Sequence, residues 1–183
     1  MGKIKGVDKF TLLNHEAGHV LFNSPTKSGE QMITQWAQEW KADPFVPVDT
    51  LKKLYWYALN LIEDQRIESL MSKLYLYNKK RFYKARLNVG KDMGGGEDFD
   101  ALDDSPLDIL ERVRFFADVG DYWRNTNLDR MAMRILNEVE GTGNRGALIG
   151  LAKFKLCIDL YISYFIDGID IFSNLSFLSI SNV

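Results

Sequence analysis

Several residue types that build common functional sites are scarce in this sequence of 183 residues. A single cysteine, Cys157, excludes a disulfide framework within the chain and favours a reducing, cytoplasmic location. The formal net charge of −2 provides no excess of positive charge, so we expect no nucleic-acid partner. The most apolar stretch, residues 147–166, is interrupted by three charged residues. It therefore predicts a buried helix, and we expect no membrane partner.

The rest of the composition is that of an ordinary globular protein, with 46% apolar and 26% charged residues. A chain of this length is expected to form one domain, residues 1–183, whose core needs no covalent crosslinks. Apolar residues recur mostly at helical spacing, and no internal repeat or clear strand pattern is present. The sequence therefore predicts a mainly α domain with at most a small β element.

Capping and breaking residues divide the chain into six predicted helices. The first is expected to start at an Asp8 cap, and its apolar residues recur at helical spacing: Phe10, Leu13, Ala17 and Val20. The predicted ranges are 8–23, 29–41, 49 to beyond 84, 105–120, 127–140 and 145–166. Whether the long third helix kinks near Tyr77 is left open.

Two segments resist a helical assignment. Residues 91–104 predict an acidic, glycine-rich loop, either a plain surface loop or a lid over a cleft. The tail, residues 169–183, alternates small polar with apolar residues. It predicts either a short strand or a poorly ordered end.

Both histidines of the chain lie in one motif, His15-Glu16-Ala17-Gly18-His19, which has the form H-E-x-x-H. On a helix, this spacing places two imidazoles one turn apart on one face, where they can share a zinc ion. Glu16 is rotated about 100° from His15. It can therefore act as the general base on a zinc-activated water without being a ligand. Gly18 is unfavourable inside a helix, so it predicts close packing against another segment.

A catalytic zinc also needs a third protein ligand beside an open position. Because no third histidine exists, that ligand must be a carboxylate or Cys157. Residues 60–68 place Glu63, Asp64 and Glu68 in an otherwise apolar helix, where a buried carboxylate needs a positive partner. We expect Glu63 to be the ligand, with Asp64 as the alternative. The structural interpretation of the same residues is an i,i+3 pair between Glu63 and Arg66.

Together these two helices resemble the gluzincin branch of the zincins. The segment at 60–68, of the form N-x-x-E-D-x-R-x-E, is similar to a motif of prokaryotic and phage metallopeptidase-like proteins, which are often associated with von Willebrand A-type domains. The resemblance covers about residues 10–86. It implies a zinc-dependent peptidase acting on a peptide or protein substrate, with His15, His19 and Glu63 as ligands and Glu16 as base. It also implies a von Willebrand A-type or ATPase partner, and supporting roles for Asp64, Arg66 and Glu68.

The chain departs from the zincin pattern in one respect. Zincins usually carry a small sheet before the metal helix, and its edge strand binds the substrate. Only fourteen residues precede His15 here. We expect that this sheet is missing, is built from later residues, or lies outside a fragment.

Other interpretations of the sequence remain open. One is a non-catalytic scaffold or adaptor that the metal stabilises, and another is a metal-free helical interaction domain. If the chain is a peptidase, a donor must stabilise the negative charge of the transition state. The candidates by residue type are Tyr75, Tyr77, Tyr83 and Arg66, and the sequence does not select among them.

Overall fold

The computed structural model describes residues 7–41, 48–92, 109–114 and 127–165. The helices are α1 (Lys9–Leu21), α2 (Thr26–Trp40), α3 (Val48–Leu74), α4 (Tyr77–Asp92), a helical segment at 109–114 that we label α5, α6 (Asn127–Gly141) and α7 (Gly146–Phe165). A short 3-10 turn, Gly143–Arg145, links α6 to α7. These described ranges contain no strand. The predicted mainly α class is therefore confirmed.

The helix starts follow local capping chemistry. The Asp8 carboxylate accepts hydrogen bonds from the backbone N–H groups of Phe10 and Thr11, at 3.0 and 2.9 Å, and so caps α1 as predicted. Hydrogen bonds from the Thr11 hydroxyl and backbone hold the pKa of Asp8 below its usual range. Helix α2 begins at Thr26, earlier than the predicted residue 29, directly after Pro25.

The predicted long third helix is two helices. Helix α3 ends at Leu74 and α4 begins at Tyr77, so the chain breaks where a kink was left open. Asn78 is buried at this break, where its side chain accepts a hydrogen bond from Asn14 of α1 at 3.1 Å. Helix α4 extends to Asp92 and so includes the start of the predicted 91–104 loop. The rest of that loop, the 169–183 tail and most of the predicted 105–120 helix lie outside the described residues.

Helix α3 lies at the centre of the fold and packs against α1, α2, α4, α6 and α7. Its apolar side is built around Tyr55, Ala58 and Ile62, and these meet Ile135 of α6 and Phe154 of α7 in one core. Each of these side chains is at most 1% exposed. Burying a large apolar side chain such as Ile62 or Phe154 stabilises a fold by about 1.5–3 kcal/mol. This core therefore fixes the position of α3. None of the described helices is long and apolar enough to cross a membrane.

Helix α1 packs on α3 through small and polar residues. Its buried positions are Thr11 and Gly18. A β-carbon on Gly18 would lie 3.2 Å from Cγ of Met71 and 3.3 Å from Cβ of Ile67. This contact confirms the close packing predicted at Gly18. The apolar residues that revealed the helix in the sequence lie on its other side and are exposed: Phe10, Leu13, Ala17 and Val20.

Candidate metal centre

Three side chains from α1 and α3 bring their ligand atoms to one point. Nε2 of His15 lies 3.2 Å from Nε2 of His19, and each of these atoms lies 3.5 Å from Oδ1 of Asp64. The two helices run antiparallel here. The earlier histidine, His15, also meets Glu68, whereas the later one, His19, meets Asp64, one turn before Glu68 on α3. The group His15, His19 and Asp64 could hold a metal ion.

The spacing of these atoms suits a small tetrahedral ion. Zinc binds imidazole nitrogen and carboxylate oxygen at about 2.0–2.2 Å, so tetrahedral angles set neighbouring ligand atoms about 3.3–3.5 Å apart. The three observed separations are 3.2, 3.5 and 3.5 Å. Two imidazole nitrogens are also a poor donor set for calcium or magnesium, which prefer oxygen. The residues present therefore fit zinc.

The hydrogen-bond partner of His15 fixes which of its nitrogens carries the proton. Nδ1 of His15 lies 3.1 Å from Oε1 of Glu68. An ionised carboxylate can only accept a hydrogen bond, so Nδ1–H is the donor. In the neutral ring, Nε2 then carries a lone pair and faces His19 and Asp64.

His19 reaches the same state through a longer chain of contacts. The Ser24 hydroxyl donates to Oε1 of Glu63 at 2.5 Å. It therefore accepts from Nδ1–H of His19, whose Nδ1 lies 2.8 Å from the Ser24 oxygen. The neutral His19 ring likewise points an unprotonated Nε2 inward.

With both rings neutral, three lone pairs face one another across the gap between α1 and α3. Two belong to Nε2 atoms and one to a carboxylate oxygen. Such an arrangement is repulsive when neither a proton nor a metal ion lies between the atoms. A metal ion between these three atoms would remove the repulsion.

Glu63 has a different environment from the one expected of a ligand. Its carboxylate accepts two hydrogen bonds from Arg66, from Nε and from Nη2, each at 2.7 Å. Arg66 also donates to the backbone oxygen of Phe22 at 2.9 Å. Glu63 and Arg66 are 5% and 1% exposed, so they form a buried, bidentate ion pair. The i,i+3 pair that the sequence offered as the structural interpretation is therefore present.

The structure accordingly brings Asp64, the alternative, and not Glu63, the expected third ligand, to the two histidines. Neighbouring residues on a helix point about 100° apart, so only one of them can face α1. The signal that could have indicated this was Arg66, because three residues after Glu63 it lies on the same helix face.

Each acid of this segment contacts an arginine, and the three arginines lie on three different helices. Arg66 of α3 pairs with Glu63, Arg86 of α4 contacts Oε2 of Glu68, and Arg114 of α5 lies 3.6 Å from Oδ2 of Asp64. Arg86 and Arg114 were not predicted as site residues from the sequence. No periodic pattern could have found them, because they lie 18 and 50 residues along the chain from their partners.

The remaining predicted site residues do not belong to the converging group of ligand atoms. Glu16 follows His15 on α1 and its side chain is exposed. Arg66 uses its N–H groups for buried contacts with Glu63 and the backbone oxygen of Phe22. The three tyrosines proposed as charge-stabilising donors are exposed, at the α3–α4 turn or on α4, outside the converging group: Tyr75, Tyr77 and Tyr83.

A tyrosine that the sequence analysis did not single out lies on the Asp64 side of α3. The hydroxyl of Tyr57 donates to Oε1 of Glu111 of α5 at 3.3 Å. Burial first, and then the charge of Glu111, raise the pKa of Tyr57 to about 12. Tyr57 therefore stays protonated at neutral pH.

No protein-family model, curated protein or solved structure matches this chain.

Proposed function

We propose that this chain is a zinc-dependent peptidase in which His15, His19 and Asp64 hold the metal and Glu16 is the general base. The observation that carries the proposal is the convergence of three ligand atoms at tetrahedral spacing, with Nδ1 of each histidine in a hydrogen bond and Nε2 facing inward. Their side chains are between 21% and 29% exposed, which suits a site that must admit a substrate.

The proposed reaction is hydrolysis of a peptide bond in a peptide or protein substrate. When bound, zinc supplies Lewis-acid chemistry that polarises the carbonyl and activates water. Glu16 takes a proton from the attacking water and delivers it to the leaving nitrogen as the C–N bond breaks. The water oxygen stays on the carbonyl carbon, so the products are a carboxylate and an amine. The exposure of Glu16 supports this role, because the base must reach a substrate arriving from solvent.

Two neighbouring groups would orient the ligands for this chemistry. Glu68 accepts from Nδ1–H of His15, and Ser24 accepts from Nδ1–H of His19. Such partners raise the basicity of the ligating nitrogen and fix the ring. We place the activity in the cytoplasm, since a reducing compartment suits the free, buried thiol of Cys157.

A second candidate function is a non-catalytic scaffold or adaptor that the metal stabilises. Exposed apolar side chains on α1 favour it, because Phe10, Leu13 and Val20 are 59%, 56% and 84% exposed beside the metal ligands. A partner of the von Willebrand A or ATPase type would dock there. The exposed Glu16 favours the peptidase, because a structural metal site needs no base.

The test is elemental analysis of protein purified without chelators, followed by a fluorescent casein assay. We expect about one zinc per chain, and hydrolysis that 1,10-phenanthroline abolishes and added zinc restores. Glu16→Gln should keep the zinc and lose about 10²-fold or more of the activity. Zinc binding without hydrolysis by the parent would favour the scaffold. Protein that binds no zinc, even when zinc is added, would contradict both functions.

A further inference from the structure

Among the described residues, Arg114 is the arginine near the candidate metal centre that forms an ion pair at long distance and no hydrogen bond. Its Nη2 lies 3.6 Å from Oδ2 of Asp64, an ion-pair distance that is too long for a hydrogen bond. Within the described ranges, no hydrogen bond to Arg114 is formed. Its side chain is 29% exposed. Arg114 therefore combines a fixed positive charge with N–H groups that a substrate can reach.

The two other arginines of the centre are used differently. Arg66 is 1% exposed, and its N–H groups bind Glu63 and the backbone oxygen of Phe22. Arg86 is 17% exposed and contacts Glu68, the partner of His15. Both hold groups that orient the histidines.

We infer that Arg114 is a catalytic residue of the proposed peptidase, which donates hydrogen bonds to the peptide carbonyl oxygen as that oxygen gains negative charge. The inference rests on the proposed function. One oxygen of Asp64, Oδ1, faces the two histidine nitrogens, and the other, Oδ2, faces Arg114. The Asp64 carboxylate thus contacts both groups, and a substrate carbonyl that reaches the metal from the α5 side would have the guanidinium beside it.

A donor held in place before the reaction is effective because it needs no reorganisation when the charge develops. The planar guanidinium remains charged at any working pH and offers five donors in a fixed fork. Tyr57 also has a hydroxyl on this side of α3, but that hydroxyl already donates to Glu111. The geometry thus favours Arg114 over Tyr57 for this role.

The competing interpretation is that Arg114 only orients Asp64 for metal binding. The two roles differ in what they change. Loss of an orienting group weakens zinc binding by about 10–100-fold. Loss of a charge-stabilising donor lowers kcat by about 10²–10³-fold while the ground-state complex is largely kept.

The experiment compares Arg114→Met, which removes the charge, with Arg114→Lys, which keeps a positive group. Arg134→Met serves as the control, since Arg134 is an exposed arginine on α6. Three quantities are measured for each protein. These are zinc affinity by competition with a chromophoric chelator, kcat and KM on a fluorogenic peptide at saturating zinc, and calorimetric affinity for a phosphinic peptide. The phosphinic group mimics the tetrahedral, anionic transition state.

We expect Arg114→Met to lower kcat and phosphinic-peptide affinity together, each by about 10²–10³-fold. Zinc affinity and KM should stay close to those of the parent, Arg114→Lys should recover part of the loss, and Arg134→Met should change nothing. Weakened zinc binding with kcat restored at saturating zinc would overturn the inference in favour of orientation. Unchanged kcat would overturn it as well. A parent that binds zinc but neither cleaves peptides nor binds the phosphinic peptide would instead contradict the proposed function.

Discussion

Helix α3 separates two regions whose stability has different origins. Towards α2, α6 and α7 it presents apolar side chains such as Ala58 and Ile62, which are fully buried. Towards α1, α4 and α5 it presents Glu63, Asp64 and Glu68, each paired with an arginine. The apolar region gains free energy from area removed from water. The polar region depends on its ion pairs, most strongly on the buried Glu63–Arg66 pair.

This difference teaches where a substitution should act. In the apolar region a truncation should lower the stability of the whole fold and leave the metal centre intact. In the polar region a substitution should change metal binding, and where it breaks the buried Glu63–Arg66 pair it should also lower the stability of the fold.

Replacing the third ligand should have the largest effect on the polar region. We expect Asp64→Asn to weaken zinc binding far more than the 10–100-fold that follows from loss of a neighbouring group. Glu63→Gln should remain within that 10–100-fold range, because Glu63 acts on His19 only through Ser24. Titration of each variant with zinc against a chromophoric chelator measures the two affinities.

Without metal, the same two variants should differ in the opposite sense in their free energy of unfolding. Glu63→Gln leaves Arg66 buried with a weakened partner, and breaking a buried pair costs about 3–5 kcal/mol. Asp64→Asn removes one of three facing lone-pair groups and should cost little. Chemical denaturation in the presence of a chelator measures this. If Glu63→Gln proves the more damaging to zinc binding, Glu63 is the ligand and the assignment is reversed.

Truncation in the apolar region should show the reverse pattern. Phe154 is fully buried on α7, and its ring packs edge-on against Tyr55 at 5.8 Å between centroids. Phe154→Ala should lower the free energy of unfolding by about 3–5 kcal/mol, the usual cost of such a cavity. Denaturant melts measure the loss, and zinc titration of the folded variant should match the parent. A large loss of zinc affinity would mean that the two regions are not separate.

Ser24 offers a smaller and more specific test of the polar region. Ser24→Ala removes the acceptor for Nδ1–H of His19 and should weaken zinc binding by about 10–100-fold. Ser24→Thr keeps the hydroxyl and is the matched control. The nitrogen chemical shifts of the His19 ring should show mixed tautomers in Ser24→Ala and a single tautomer in the parent. Equal zinc affinity in the alanine and threonine variants would exclude a role for the hydroxyl.

The sequence predicted α1, α6 and α7 closely because the signals at their ends are local, but it did not separate α3 from α4. Asp8 caps α1 through its own neighbours, and the α6–α7 connection lies at glycines that end one helix and begin another. The histidine pair was predictable for the same reason, since both residues lie on one helix turn. Glu63 and Asp64 could not be separated in this way. Which of them faces α1 depends on how α1 and α3 pack. That packing is a contact between residues far apart in the sequence, so no local pattern reports it.

Gly18 lies at that packing contact, so it offers the finest test of how the two regions are joined. Gly18→Ala should gain about 1 kcal/mol from helix propensity. It should lose a similar or larger amount, about 1–3 kcal/mol, because the new β-carbon would meet Met71 and Ile67 at 3.2–3.3 Å. Met71 can yield because its side chain is flexible, whereas the branched Ile67 cannot yield easily. We therefore expect a net loss of stability of at most about 2 kcal/mol. A measurable loss of zinc affinity should accompany it, since α1 would move away from Asp64.

Gly141→Ala is the control, because a β-carbon there would meet nothing within 4 Å. It should leave zinc affinity unchanged. Denaturation and zinc titration of both variants would check this, and Gly18→Ala with unaltered zinc affinity would show that close packing at this glycine does not set the metal site.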